Sequence, residues 1–248
     1  KIFHYTITVK KDNFFITKNR NGGLEMKKSF LGIMLFILLV GCSSQPRVEA
    51  AATNNNANSH VVFYVPHQDD EALSFGLGII NHVKSGHVVH VVLLTDGSAS
   101  FVRKKLEMTE KEFTEARNKE FRLSLEAMGV KPQNIDYLNY KDSQLTVKNV
   151  EEVIKKYEKK YPNAKHKSFS WTDSGNHDHQ NAGKALNNLQ KTKKISDARY
   201  YVRRGDQPKG LKLSTEKYNP LFKPIHQKVS KAYSTYEPVK GFYAIGRT

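Results

Sequence analysis

Cysteine is almost missing from this chain: Cys42 stands alone among 248 residues. Neither a disulfide framework nor a cysteine-based zinc site can be built within one copy, so any metal must be held by histidines and carboxylates. Acidic residues are also scarce, 24 against 40 Lys and Arg, which leaves a formal charge of +16. Such an imbalance is a nucleic-acid signature, but here the basic residues are scattered among aromatics and form no basic arm or helical stripe, so no nucleic-acid partner is expected. No internal repeat is evident. The strongly apolar run, Phe30 to Val40, is too short to cross a bilayer, which needs about 20 residues. What is present, 38% hydrophobic residues over this length, suffices for the core of one sizeable domain.

The apolar run sits in "MKKSFLGIMLFILLVGCSS", with two lysines before it and small residues ending at Cys42 after it. This is the layout of a signal-peptide h-region, and "LVGC" resembles the end of a bacterial lipoprotein signal. The resemblance implies cleavage before Cys42 and acyl chains on that residue. Each buried CH2 contributes about 0.8 kcal/mol, so two or more chains anchor stably where one is marginal. Residues 1–25 are expected to lie upstream of the natural start, 26–41 to form the signal peptide, 42–59 to be a flexible tether, and 60–248 to be the domain. Removing residues 1–41 takes away seven basic and two acidic side chains and lowers the charge to +11. The surface remains basic enough to sit beside anionic lipids or cell-wall polymers, although a solvated lysine-rich face is the commoner explanation. The expected location is therefore outside the cytoplasm, at the membrane.

Within the domain, Val61–Val65 is a continuous apolar run, as in a strand buried on both faces. A helix is predicted over Ala72–Lys84 with Gly86 as its stop. His87–Thr95 reads as a second buried strand. Thr109 and Glu112 form a capping-box pattern opening a helix to about Met128. Glu120 falls in the apolar stripe of that helix, where a carboxylate needs a partner, and Arg117 is one turn away. Further strands are predicted at Ile135–Tyr140, Ser168–Trp171 and near "ARYYVRR", and helices at Val150–Tyr161 and Asn181–Lys191. The last fifty residues give no clear pattern. Alternating strands and helices imply βαβ units in a single α/β domain with a mainly parallel sheet, whose ligands bind outside the carboxyl ends of the strands.

The first strand ends at "PHQDDEAL", which places His67, Asp69, Asp70 and Glu71 at that edge. Helix N-termini favour acids, and that explains one or two of them. Three in a row beside a histidine repel unless a cation neutralises them, which favours a metal. A second polar cluster, "WTDSGNHDHQNAGKAL", follows a later strand in the equivalent place, and His177, Asp178 and His179 can complete a coordination sphere. An HDH triplet alone is a weak signal; two such clusters at two strand ends are a stronger one. His82, His87 and His90 read as surface or packed histidines, and Trp171 as core.

"PHQDDEALSFGLGI" resembles the AHPDDE box of the PIG-L/LmbE-like N-acetylglucosaminyl de-N-acetylases. The resemblance continues through "GHVVHVVLLTDG", the helix with Arg117 and Glu120, "IDYLNYKDSQL" and "GNHDH". It implies a Rossmann-like three-layer α/β fold and zinc-dependent hydrolysis of the N-acetyl group of a GlcNAc-containing carbohydrate, with His67, Asp70 and His179 as zinc ligands, Asp69 as general base and Arg117 as a substrate contact. The family's second motif is commonly HPDH, and its first histidine helps stabilise the oxyanion. This chain has Asn176 and His177 there, so Asn176 serves as an oxyanion donor or His177 substitutes for it. Asp178 is expected to orient an imidazole. Gln68 replaces the usual proline, and Ser98 stands where relatives often carry glutamate. Two alternatives stay open: a noncatalytic sugar-binding lipoprotein retaining the pocket, and a metal-capturing surface lipoprotein.

Overall fold

The computed structural model describes residues 5–8, 59–203, 205–209 and 213–233. The signal segment, Cys42 and most of the tether lie outside the described residues, and no helix among those described is long and apolar enough to cross a membrane. The elements in chain order are β1 (Tyr5–Thr8), β2 (His60–Val65), α1 (Asp70–Leu73), α2 (Gly76–Lys84), β3 (Val88–Thr95), α3 (Phe101–Lys105), α4 (Glu110–Ala127), β4 (Ile135–Tyr140), α5 (Val147–Lys160), β5 (Lys165–Phe169), α6 (His177–Lys191), β6 (Asp197–Val202) and α7 (Phe222–Ala232).

Strands β2 to β6 form a parallel sheet in the order β6-β5-β2-β3-β4. At its β6 edge, β1 pairs antiparallel, Tyr5 opposite Val202. Sequence reading set residues 1–25 aside, yet the backbone of Tyr5–Thr8 takes part in the sheet. The chain leaves β2 toward β3 and β4, then returns to lay β5 and β6 on the other side. The order therefore reverses between β2 and β5, and such a switch point leaves a crevice at the strands' carboxyl ends.

Alternation along β2 builds the three layers. Val61, Phe63 and Val65 face a core completed by Ile79 and Ile80 of α2, Phe121 and Leu125 of α4 and Val229 of α7. Val62 and Tyr64 face the other, filled by Val150 and Ile154 of α5 and Ala182 and Leu186 of α6. Each fully buried aliphatic side chain contributes about 1.5–3 kcal/mol, and both faces are covered, which is why β2 reads as an unbroken apolar run. Capping boxes open α4 at Thr109/Glu112 and α5 at Thr146/Asn149.

Several elements differ from the sequence expectation. The helix predicted over Ala72–Lys84 is two, α1 and α2, because Asp70 O accepts from both Ser74 and Phe75 N–H and the spiral restarts at Gly76. Strand β5 begins at Lys165, three residues before the predicted Ser168, and α6 begins at His177 instead of Asn181. Helix α7 carried no clear sequence signal.

The early start of β5 buries Lys167 completely, with its Nζ 5.7 Å from the Phe63 ring centroid, 6.0 Å from that of Tyr201, and no hydrogen-bond partner. Burial pulls the ammonium down from 10.5 to about 8. A base with a depressed folded value destabilises the fold below that value, and the penalty fades as pH rises from about 8 toward 10.5. Lys167→Met is expected to raise the unfolding free energy at neutral pH by about 2–3 kcal/mol, and by clearly less at pH 10. Denaturant melts at both pH values check this; equal or lower stability of the variant at neutral pH contradicts it.

Candidate active site

The turn after β2 is tied to the sheet by Pro66 O, which accepts from Thr95 N (3.1 Å) and Thr95 Oγ1 (2.7 Å). Asp70 Oδ2 then accepts from the His67 N–H at 3.0 Å, closing the turn. Between them Asp69 is left-handed, φ 110° and ψ −25°, a region that non-glycine residues avoid at a cost of about 1–3 kcal/mol. This conformation aims two adjacent aspartates differently. Asp70 faces the crevice between β2 and β5, whereas Asp69 Oδ2 lies 3.1 Å from Arg117 Nη2.

The other side of the crevice is the start of α6. Asn176 caps it, its Oδ1 accepting from Asp178 N (2.8 Å) and His179 N (3.2 Å). The cap turns Asp178 and His179 inward and leaves His177 outside. The His179 ring stacks flat on Phe169 at the end of β5, centroids 3.9 Å apart and planes 3° apart, and its Nδ1 is 3.4 Å from Asp173 Oδ2.

His67 Nδ1, Asp70 Oδ2 and His179 Nε2 thereby form a triangle with sides of 3.4, 3.1 and 3.2 Å. Three ligands of a tetrahedral ion at about 2.0–2.1 Å stand about 3.3–3.4 Å from one another, so the triangle fits one divalent cation. Two imidazoles and a carboxylate are also a donor set that suits such an ion. The outer nitrogens of both rings are held as well. His67 Nε2 is 3.3 Å from Asp142 Oδ1 and 3.3 Å from Asp178 Oδ2, matching the Asp173 contact on His179. Carboxylates in that position fix ring orientation and raise ligand basicity.

The charges are mutually supporting without any ion. Burial alone would lower the His67 and His179 values, but the surrounding carboxylates outweigh it, holding His67 well above and His179 above the ordinary imidazole range. Burial likewise opposes ionised Asp70, yet His179 and His67 keep its carboxyl well below the usual range.

Behind Asp69, Arg117 is almost fully buried. Its Nη1 reaches Glu120 Oε2 at 3.2 Å and its Nη2 donates to Gln68 O. It lines the cavity, where a substrate contact was expected from sequence, and there it lies against the Asp69 carboxylate. Glu71 is fully buried: Oε2 accepts from Asp69 N at 3.0 Å and Oε1 from the Tyr233 hydroxyl, and burial pushes its carboxyl up to about 7. It faces away from the triangle.

A cavity of about 310 Å3 opens over these groups, lined among others by His67, Asp69, Asp70, Arg117, Asn176 and His179. His177 does not line it. Its side chain is 67% exposed on the outer face of α6, near Asn181, so it is not placed to replace the oxyanion histidine; Asn176 is on the wall. Asp178 is buried, accepting from Ser143 N (2.8 Å) and Leu145 N (3.2 Å), and the imidazole it touches is His67, distant in sequence, where a neighbouring one was expected. Sequence reading missed Asp142 and Asp173. The available signal was positional: an aspartate stands within a few residues of the end of β2, β3, β4, β5 and β6. His82 and His90 pack against Phe63 and Tyr161 respectively, and Trp171 stands edge-on to Tyr200.

A ligand bound to both imidazoles must displace their protons, so divalent-metal affinity is expected to fall as pH drops through the raised His67 and His179 values, with protons released on binding. Calorimetry of the metal-stripped full chain in buffers of different ionisation enthalpy measures that release. His179→Ala is expected to abolish stoichiometric binding and Asp173→Ala to weaken it about 10–100-fold. Binding that is independent of pH, or unchanged in His179→Ala, contradicts the triangle as the site.

Residues 62–189 match the family model described as PIG-L: GlcNAc-PI de-N-acetylase. Among curated proteins none matches. Similar solved structures include the zinc-inhibited form of teicoplanin deacetylase, 16% identical over 73% of this chain and 86% of that one with a TM-score of 0.59. The N,N'-diacetylchitobiose deacetylase of Pyrococcus horikoshii is 21% identical over 71% and 70%, TM-score 0.52. A 4-carboxy-2-hydroxymuconate hydratase from Pseudomonas putida, 19% identical over 72% and 79%, reaches 0.50. At these identities the structural likeness is one of fold, which the hydratase shares, and the assignment rests on the family match over half the chain. This chain belongs to the PIG-L family of de-N-acetylases and is an amide hydrolase.

Proposed function

We propose that the chain hydrolyses the N-acetyl group of a GlcNAc-containing glycan or glycoconjugate, with zinc held by His67, Asp70 and His179. The observation that carries this reading is the split between the two adjacent aspartates. Asp70 completes a triangle of metal-spaced donors while Asp69, on the same cavity wall, is turned to Arg117. Bound there, the ion would supply Lewis acidity, polarising the acetamide carbonyl and acidifying water.

The remaining chemistry belongs to the chain. Asp69 takes a proton from the attacking water and returns it to the departing amine nitrogen. Arg117, 3.1 Å from its carboxylate, keeps that base aimed. Asn176 uses Oδ1 to cap α6, and its Nδ2 is the donor left to face an oxyanion from the cavity wall. Asp142 and Asp178 orient His67, and Asp173 orients His179. A cavity of about 310 Å3 lies at the small end of ligand sites, about 300–1,000 Å3, which suits one terminal N-acetylated sugar. Anchoring through a lipidated Cys42 would hold this site outside the membrane, and the sequence around Cys42 supports that placement.

The test is acetate release from N-acetylated oligosaccharides by the zinc-loaded full chain. Asp69→Asn is expected to lower kcat by about 10²–10⁴-fold with zinc still bound, and Asn176→Ala to lower it by about 10²–10³-fold. Full activity in Asp69→Asn removes the base assignment. No release by wild type across a broad panel, with zinc bound, favours a noncatalytic sugar-binding protein.

A further inference from the structure

Helix α7 contributes nothing to the donor triangle, yet it reaches the turn that carries the base. It packs against α4 and α2 with Val229 fully buried, and Tyr233, just past its last turn, is 2% exposed. The Tyr233 hydroxyl donates to Glu71 Oε1. The other oxygen of that fully buried carboxyl group, Oε2, accepts from the Asp69 N–H at 3.0 Å, a bond on the left-handed residue itself. The face of the Tyr233 ring meets the Arg117 guanidinium, 4.9 Å from its centroid, and Arg117 in turn holds Asp69 Oδ2 at 3.1 Å. The backbone and the carboxylate of Asp69 are thus each held through a group that touches Tyr233.

We propose that Tyr233 is a positioning residue for the general base, fixing the Asp69 peptide through Glu71 and steadying Arg117 with its ring. This rests on the deacetylase reading. Without the hydroxyl, Glu71 Oε1 is left without that donor in the interior, and the carboxylate shifts to recover one. The Asp69 N–H then loses its fixed acceptor, and the Asp69 carboxylate its fixed aim. A base misplaced by about 1 Å lowers turnover on the order of 10²-fold. The two imidazole donors have separate supports in Asp142, Asp178 and Asp173, and Asp70 is held by the His67 N–H, so the triangle stays in place.

Tyr233→Phe in the zinc-loaded full chain keeps the ring and removes only the hydroxyl. The expected result is a kcat about 10–100-fold lower, with KM and zinc affinity within about threefold of wild type. Hydrogen exchange should accelerate in the segment 67–73 and stay unchanged in β2 and β3. Adding Glu71→Gln to Tyr233→Phe should give no further loss, because both act along one chain of contacts. Wild-type kcat with unchanged exchange at 67–73 overturns the proposal, and so does a loss of zinc affinity as large as the loss of kcat. If wild type releases no acetate from any substrate, the deacetylase reading has failed, and exchange at 67–73 alone then decides whether Tyr233 positions the turn.

Discussion

Side chains on successive residues share one short piece of backbone, and aiming two carboxylates into different environments requires that backbone to leave the common conformations. Asp69 does so at φ 110°. With the peptide in that state, Asp70 enters the donor triangle and caps the turn through the His67 N–H, while Asp69 turns to Arg117. Were the turn to relax, both acids would compete for the same positive groups, and the separation of ligand from base would be lost. The surrounding structure over-determines the turn: Pro66 is pinned to Thr95 below it, Arg117 holds Gln68 O beside it, and Glu71 holds the Asp69 amide from within.

The crevice is as much a product of electrostatics as of topology. Asp142, Asp173 and Asp178 are all buried, and each has a specific occupation: two backbone amides besides His67 for Asp178, Ala99 N and His67 for Asp142, Gly175 N and His179 for Asp173. Clustered carboxylates survive burial only with such donors and opposite charges. His67 and His179 are packed among these carboxylates with their facing nitrogens and Asp70 Oδ2 at the spacing a divalent ion requires.

How much of this the sequence disclosed follows from where its signals lie. The apolar runs of β2 and β3 and the Thr109/Glu112 box were legible because burial on both faces and capping leave local patterns. The two polar clusters were legible because acids and histidines crowd at strand ends. Strand β5 was read late because "KHK" looks solvated; in the fold Lys167 is enclosed by aromatics and His166 bonds Tyr64 and Glu158, contacts made across the sheet. The first turn of α6 was read as a loop because its polar residues face a site and not water. Tyr233 and Asp142 act through partners distant in sequence, and no local pattern announces that.

The order of the sheet carries one more implication. Strands β2 and β5 are neighbours, yet the chain completes β3, β4 and the helices between before β5 can dock. Two donors come from the β2 side of that seam and the third from the β5 side. Neither half alone offers all three donors, so an ion would bind only once the seam has closed. By mass action, occupancy would then lower the population of every state in which the halves have parted, and a bound cation would act as a clasp on the domain.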